Sequence, residues 1–449
     1  MSLTAAQILE RVAETRLPIL RGRIAKIIGL TIECEGPTAS IGELCRIMVG
    51  TKEVCKAEVV GFRDQRTLLM PLGPLEGIRP GMEVVAEGST LTVPVGPKLL
   101  GRIIDGLGNP LDGKGPLEFV RNASIYANPP AALERRRISQ PMFIGIRAID
   151  SFLTVGRGQR LGIFAGSGVG KSVTMGMIAR NCLAKVNVIA LIGERGREVR
   201  EFIEKDLGPE GLARSVVIIA TSDQPALIRL KASLLATTIA EYFREEGEEV
   251  MFLLDSTTRL AMAQREIGLA IGEPPATKGY TPSVFAFLPK LLERAGASDK
   301  GSITGLYTVL VEGDDLDDPI ADTVRSILDG HIVLSRALAI RNHYPAIDVL
   351  ASISRCRPDV TTPELRAISS QLLTSMAVYR KNEDLINIGA YAKGSDPEVD
   401  TAIKRREPLQ KFLQQGMDEK SNPAILETQL RAILVEPTKP PESTPARAG

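Results

Sequence analysis

Between Arg21 and Val95, apolar and polar residues change places over short distances. GRIAKIIGLTIEC, ELCRIMV, CKAEVVGF, RTLLMPL and MEVVAEG are separated by Gly, Pro, Asn and Asp. Brief runs broken by turn residues predict a small β-barrel or sandwich over residues 21–95. In front of it, Ile8, Leu9 and Val12 fall on one side of a possible helix over residues 2–17, so residues 1–20 are expected as a terminal helix or a frayed tail. From Pro94 to Pro141 the chain is rich in Gly and Pro, as in GLGNPLDGKGP, and reads as a long connection. The pattern then changes: LGIFA, VNVIALIG, VVIIA and VMFLLD are continuous apolar runs, with helix-length segments such as PALIRLKASLLATTIAEYFREEG between them. Strands without alternation, separated by helices, predict a parallel sheet covered on both faces, an α/β core over residues 96–357 that includes the connection. After about Pro358 the periodicity is helical (PELRAISSQLLTSMAVYRKNEDL, PLQKFLQQGMDE, NPAILETQLRAIL), which predicts a helical domain over residues 358–435. The tail EPTKPPESTPARAG, residues 436–449, reads as disordered.

Composition narrows the function classes. The 55 Lys and Arg nearly cancel the 54 Asp and Glu, so net charge gives no general pull toward nucleic acid or anionic membrane. Basic residues near the start (Arg11, Arg16, Arg21, Arg23, Lys26) could touch anionic lipid, but solvation is their plainer reading. Cys34, Cys45, Cys55, Cys182 and Cys356 are scattered without CxxC spacing, so buried reduced thiols are expected rather than a disulfide framework or zinc site. MSLTAAQILERVAETRLP has acids inside it and no continuous apolar core, and no run approaches a membrane span; a cytoplasmic protein is expected.

The loop after LGIFA carries the chemistry. AGSGVGKS, residues 165–172, departs from GxxxxGK[ST] at its first position, where Ala165 replaces glycine. It follows the run RLGIFA and precedes the helical segment SVTMGMIARNCL, the strand, loop and helix context that a phosphate-binding loop requires. Gly166, Gly168 and Gly170 let the backbone turn its N–H groups toward phosphate oxygens, with Ser167 and Val169 between them. The helix opening around Ser172 and Val173 adds partial positive charge. Ala165 costs little where φ stays negative. Lys171 is expected on the β- and γ-phosphates of ATP, and Ser172 on Mg2+. A structural glycine turn with a solvated lysine is the alternative, and the context weighs against it.

Asp255 ends the run VMFLLD. Alone it reads as a helix cap; with Lys171 and Ser172 it is the better candidate for a second metal ligand. The chain has two histidines, His331 and His343, so a carboxylate is expected to orient the attacking water. Glu194, in GERGREVREF, follows VNVIALIG at the carboxyl edge of the sheet, where open α/β folds bind ligands. A solvated acid at a helix start is its alternative.

GIRAIDSFLTVGRGQRLGIFAGSGVGKS, GERGREVREF, LLDSTTRLAMAQREIGLAIGEPPATKGYTPSVF and HYPAIDVLASISR together closely resemble the ATPases of flagellar and type III protein export, relatives of the catalytic subunit of rotary ATP synthases. The resemblance runs from about Gly22 to about residue 435. It implies a RecA-like P-loop core with an N-terminal β-barrel and a C-terminal helical domain, in agreement with the pattern of runs. It also accounts for Ala165, because export ATPases commonly carry AGSGVGKS where the synthase subunit has glycine.

Carried over residue by residue, the resemblance implies that Glu194 is the catalytic glutamate, Arg195 beside it a phosphate contact, and Asp255 the acid of the second nucleotide motif. Tyr344 matches the aromatic that stacks on adenine, and Arg355 the arginine finger that reaches a neighbouring subunit's site. Without the family pattern, Tyr344 would read as packing and Arg355 as a solvated cation. A homohexamer is implied, as are a stator-like regulator at the N-terminal helix, a coiled-coil stalk protein, a membrane export gate and substrate-chaperone complexes. The acidic loop EGDDLDDP, residues 312–319, resembles one that faces a central stalk, or is a solvated aspartate-rich turn.

The expected function is ATP hydrolysis that drives or assists flagellar protein export at the inner membrane, with a virulence injectisome ATPase as the alternative within the class. GLTIECEGPTASIGELCRI, DGLGNPLDG and LINIGAYAKGSDPEVD look more like the flagellar branch. A non-catalytic nucleotide-binding ring subunit is disfavoured by Glu194. A hexameric RNA translocase would need stacking groups where residues 21–95 offer Phe62 alone, and no nucleic acid is expected. A proton-driven synthase subunit is disfavoured by the export-type motifs.

Overall fold

The structure is a computed structural model that describes residues 20–311 and 317–435. The terminal helix expected over residues 2–17, the first five residues of the acidic loop and the tail 436–449 lie outside the described residues.

Six strands, β1 (Arg21–Ile28), β2 (Thr31–Glu35), β3 (Glu43–Val49), β4 (Lys52–Arg63), β5 (Arg66–Pro71) and β6 (Glu83–Thr90), close into a barrel in the order β1-β2-β5-β4-β3-β6. Ile24, Ile32, Ile47, Val59, Leu69 and Val84 fill its interior, as the short alternating runs require. Cys34 and Cys45 lie among them, and burial pushes both thiols up to about 12, which leaves them unreactive.

The core is a nine-stranded sheet. In chain order its main strands are β7 (Ile103–Asp105), β8 (Arg160–Ala165), β9 (Val186–Ile192), β10 (Ser215–Ala220), β11 (Glu249–Asp255), β12 (Ser302–Leu310), β13 (Gly330–Leu334) and β14 (Ile347–Ser354), arranged as β14-β13-β8-β12-β11-β9-β10-β7. The pairings are parallel except between β13 and β14 and at the short ninth strand, Gly296–Ala297, which is antiparallel to β12. Every residue of β9 is buried, because helices cover both faces. Helices α1 (Lys171–Asn181), α2 (Gly196–Glu201), α3 (Ala226–Glu245) and α4 (Thr257–Ala270) follow β8, β9, β10 and β11.

The glycine-rich stretch read as a connection contributes more than a link. Its residues 103–105 add β7 to the sheet beside β10. Arg102 and Asp112, a buried bidentate pair with Nε to Oδ2 at 2.6 Å, fold the following turn back on the strand.

The barrel is fastened to the core by a buried ion pair. Lys231 on α3 donates to Glu58 on β4 at 2.6 Å and also meets the Tyr126 hydroxyl, which donates to the same Glu58 oxygen at 3.1 Å. Burial pulls the lysine pKa down, and Glu58 opposes that fall.

Beyond the sheet, α5 (Pro363–Asn387), α6 (Pro397–Leu413) and α7 (Pro423–Leu434) form the helical domain. Thr362, Asp396 and Asn422 cap their first turns by accepting backbone N–H bonds, each with a proline next. This α/β core with a barrel before it and helices after it is the fold class expected from the runs. Among the described residues, no helix is long and apolar enough to cross a membrane.

Candidate active site

The phosphate loop leaves the end of β8, where Ala165 is buried and pairs with Leu310 in extended conformation. A methyl group is tolerated there because the turn begins one residue later. Gly168 and Gly170 are the two loop positions in the left-handed region, with φ of 78° and 90°, which favours glycine. Val169 anchors the loop in the core while Ser167 stays exposed. Gly170 caps α1, whose first residues Lys171, Ser172 and Val173 lie with their N–H groups at the positive end of an 11-residue helix. Thr174 returns a hydrogen bond to the Gly170 carbonyl at 2.9 Å and fixes the loop to the first turn.

β12 separates β8 from β11, so Lys171 reaches past its end to the next strand. Its ammonium donates to Asp255 Oδ1 and, at 3.3 Å, to Glu194 Oε1. The three side chains are 12%, 4% and 15% exposed. Burial opposes the lysine charge, but the two carboxylates outweigh it and hold its pKa above the ordinary lysine value. Burial first and then the Asp255 charge raise Glu194 above its ordinary value, with Lys171 pulling the other way. A lysine from the loop after β8 and two carboxylates, at the end of β11 and just past β9, therefore meet at the carboxyl edge of the sheet, in the crevice where this topology binds ligands.

Tyr344 lies at the same edge, before the antiparallel β14. Its ring stands 3.5 Å from the point a Cβ on Gly170 would occupy, so it borders the phosphate loop, and its carbonyl accepts from Gln415 N at 2.9 Å. Tyr344 is 42% exposed. Arg195 is not brought into the cluster: its side chain is 80% exposed and pairs with Glu198 at 3.5 Å. It caps α2 from an extended conformation.

Arg355 stands at the opposite edge of the sheet. Ser354 at the end of β14 pairs with Gly330 at the start of β13, which runs parallel to β8. The eight residues of β14 span about 25 Å. The Arg355 N–H donates to Asp329 O at 2.9 Å and its guanidinium to Leu328 O at 3.1 Å. Arg355 therefore does not reach the Lys171 cluster of its own chain.

Two neighbours of the cluster escaped sequence reasoning. Arg259 on α4 packs against Gly193, whose Cα leaves no room for a side chain, and its buried Nε has no partner. Its signal was available: it falls one helical turn past Asp255. Thr308 on β12 donates to Asp255 Oδ1 at 2.6 Å; it is one of two threonines in a mostly apolar strand, and nothing in the sequence sets it apart from Thr304.

A barrel, a nucleotide-type parallel sheet with a phosphate loop, and a capping helical domain define a P-loop ATPase of the rotary type. Residues 145–354 match the ATP synthase alpha/beta family, nucleotide-binding domain; residues 24–88 match that family's beta-barrel domain, and residues 361–432 the T3SS EscN ATPase C-terminal domain. The chain is 57% identical over 414 residues to the flagellum-specific ATP synthase of Bacillus subtilis, covering 92% of this chain and 94% of that protein. It is 48% identical over 425 residues to the type 3 secretion system ATPase of Xanthomonas euvesicatoria, covering 93% and 96%. Among solved structures it resembles the assembled ATPase EscN of the enteropathogenic E. coli type III secretion system, with a TM-score of 0.88 and 46% identity over 92% of this chain and all of that one. EscN in complex with its central stalk EscO aligns with a TM-score of 0.86 at 46% identity, over the same shares. The chain belongs to the family of flagellar and type III secretion ATPases.

Proposed function

We propose that this chain is the ATPase of a flagellar protein-export apparatus, hydrolysing ATP as a homohexameric ring to drive or assist export. The observation that carries the reading is the Lys171 ammonium held between Asp255 and Glu194 at the mouth of the phosphate loop. The higher identity to the flagellum-specific relative, 57% against 48%, favours the flagellar branch.

Residues 166–173 bind the triphosphate through their N–H groups and the α1 dipole, and Tyr344 stacks on the adenine. Nucleotide entry draws Lys171 off the carboxylates onto the β- and γ-phosphates. Glu194, released from the lysine, accepts a proton from the attacking water. Ser172 and Asp255 offer hard oxygen donors at the phosphate edge, which fits Mg2+; bound there with the nucleotide, it would neutralise charge on the phosphate oxygens. Arg259, with an unpartnered buried Nε and a stem packed on Gly193 beside Glu194, is a second candidate cation for the phosphates. Arg195 serves at most from outside the cluster. Arg355 acts on the site of the next subunit.

A cytoplasmic ring at the inner membrane, a stalk protein in its pore near the 312–319 loop, a stator-like regulator, an export gate and substrate-chaperone complexes complete the proposal; the hexamer and stalk draw support from the EscN assemblies. The test is flagellin secretion by a deletion strain complemented with wild type or Glu194→Gln. Restoration by wild type alone supports the reading. Intact flagellin export in the deletion strain would move the protein to an injectisome.

A further inference from the structure

β12 lies between β8, which ends in the phosphate loop, and β11, which ends in Asp255. A side chain near its carboxyl end therefore stands between the loop and the carboxylate. Register places Thr308 opposite Ile163 of β8 and Tyr307 opposite Leu254 of β11, which sets Thr308 beside Asp255. The strand, SITGLYTVL, is buried almost throughout, and Thr308 is fully buried. A hydroxyl in such a place costs free energy unless it is bonded, whereas valine would fill the same volume on the same β-branched stem.

Thr308 Oγ1 lies 2.6 Å from Asp255 Oδ1 and 3.3 Å from the Leu254 carbonyl. The hydroxyl has one proton, and the short bond to an ionised oxygen takes it. Lys171 also meets Asp255 at Oδ1, so both contacts hold the same oxygen and leave Oδ2 as the one turned to other partners. When Lys171 moves to phosphate, the threonine bond remains.

We propose that Thr308 is a positioning residue for the metal-ligating carboxylate: by holding Oδ1, it keeps Asp255 aimed while Lys171 transfers to the phosphates. The inference rests on the metal reading of Asp255. Losing an orienting partner of a metal ligand typically costs about 10–100-fold in metal affinity, and about tenfold is expected for one neutral hydroxyl.

The experiment compares wild type, Thr308→Val, Thr308→Ser and Asp255→Asn. The readout is equilibrium binding of a fluorescent non-hydrolysable ATP analogue, titrated with Mg2+ and repeated in EDTA, alongside the Mg2+ dependence of ATPase rate. Thr308→Val should raise the half-saturating Mg2+ about tenfold while leaving EDTA-state nucleotide binding unchanged; Thr308→Ser should stay near wild type. Should the valine variant not fold, Thr308→Ala against Thr308→Ser gives the same comparison. Equal Mg2+ dependence in the valine and wild-type proteins, or equal defects in valine and serine variants, overturns the proposal. If Asp255→Asn itself leaves Mg2+ dependence unchanged, the metal reading of Asp255 fails and takes the inference with it; a shift in Asp255→Asn without one in Thr308→Val sinks the Thr308 role alone.

Discussion

Lys171→Met tests the electrostatics of the nucleotide-free site. The substitution keeps most of the apolar stem and removes the ammonium that bridges two carboxylates, one 4% and the other 15% exposed. Removing one partner of a buried ion pair costs about 3–5 kcal/mol, and the partial exposure of Glu194 puts this case near the lower end, about 3 kcal/mol. For a domain of this size each kcal/mol shifts the unfolding midpoint by about 2–4 °C, so a fall of about 6–12 °C is expected at pH 8. The pH dependence follows from Glu194. Burial and the Asp255 charge already raise its pKa, and Lys171 is the counterweight, so the variant's glutamate titrates higher still. A carboxyl whose pKa is raised by folding loses stability for the protein as pH climbs from the ordinary glutamate value through the folded one. The deficit should therefore be largest at pH 8 and shrink toward pH 5.5, where a proton removes one of the two negative charges. The chain has no tryptophan, so calorimetry is the suitable assay. Coincident wild-type and variant midpoints at pH 8, or a deficit that grows on acidification, would refute the reasoning.

Further outcomes are expected at the same site and at the barrel. Glu194→Gln should still bind ATP but turn over about 10²–10⁴-fold more slowly. Because Glu194 must be ionised to accept a proton and its pKa is raised, the acid limb of the wild-type rate should lie above the ordinary glutamate pKa of 4.5; a limb at or below that value would assign it to another group. Arg355→Ala should leave nucleotide affinity of the isolated subunit intact and lower kcat about 10³–10⁵-fold at ring-forming concentrations; undiminished turnover in rings would show the finger to be elsewhere. Lys231→Met should cost about 3–5 kcal/mol by stranding Glu58 in the barrel interface. The double variant with Glu58→Leu should recover to within about 1–3 kcal/mol of wild type, with the Tyr126 hydroxyl then the group left unpaired. Chemical denaturation of the two variants checks this, and equal losses in both would mean that packing rather than charge dominates.

What could be read from the chain follows from where each signal resides. Runs such as VNVIALIG are buried on both faces, so their lack of alternation reports a covered parallel sheet directly. The loop pattern after such a run singles out Lys171, the place just past one singles out Glu194, and Asp255, the last residue of its run, stands out only in the company of Lys171 and Ser172. Thr308 and Arg259 meet the cluster through register and helical turn, which depend on how strands are ordered in the sheet. β7 is three residues between Arg102 and Gly106, too short for any period to register. Arg195 shows the limit of adjacency: it follows Glu194 in sequence, yet its side chain is 80% exposed and pairs with Glu198, while Glu194 is held by Lys171. Ala165 shows the converse, because an apparent departure from the loop pattern is simply the last residue of an extended strand.

The antiparallel edge strand sets the geometry of the whole site. Had β14 run parallel to β13, its amino end would have lain at the far edge and its carboxyl end at the phosphate edge. Because it runs the other way, Tyr344 precedes it at the phosphate edge and Arg355 follows it about 25 Å away. The same short segment thus presents an aromatic to its own nucleotide crevice and a guanidinium to the opposite side. The main-chain and side-chain bonds of Arg355 to Asp329 and Leu328 hold it there, where no rotamer returns it to Lys171. On the proposed finger role, a cation so placed completes the site of another copy, and a contact that joins one face of a subunit to a different face of the next is head-to-tail, the kind that forms a ring where its rotation closes. On that reading turnover should depend on protein concentration while nucleotide binding does not, and strand direction is the cause.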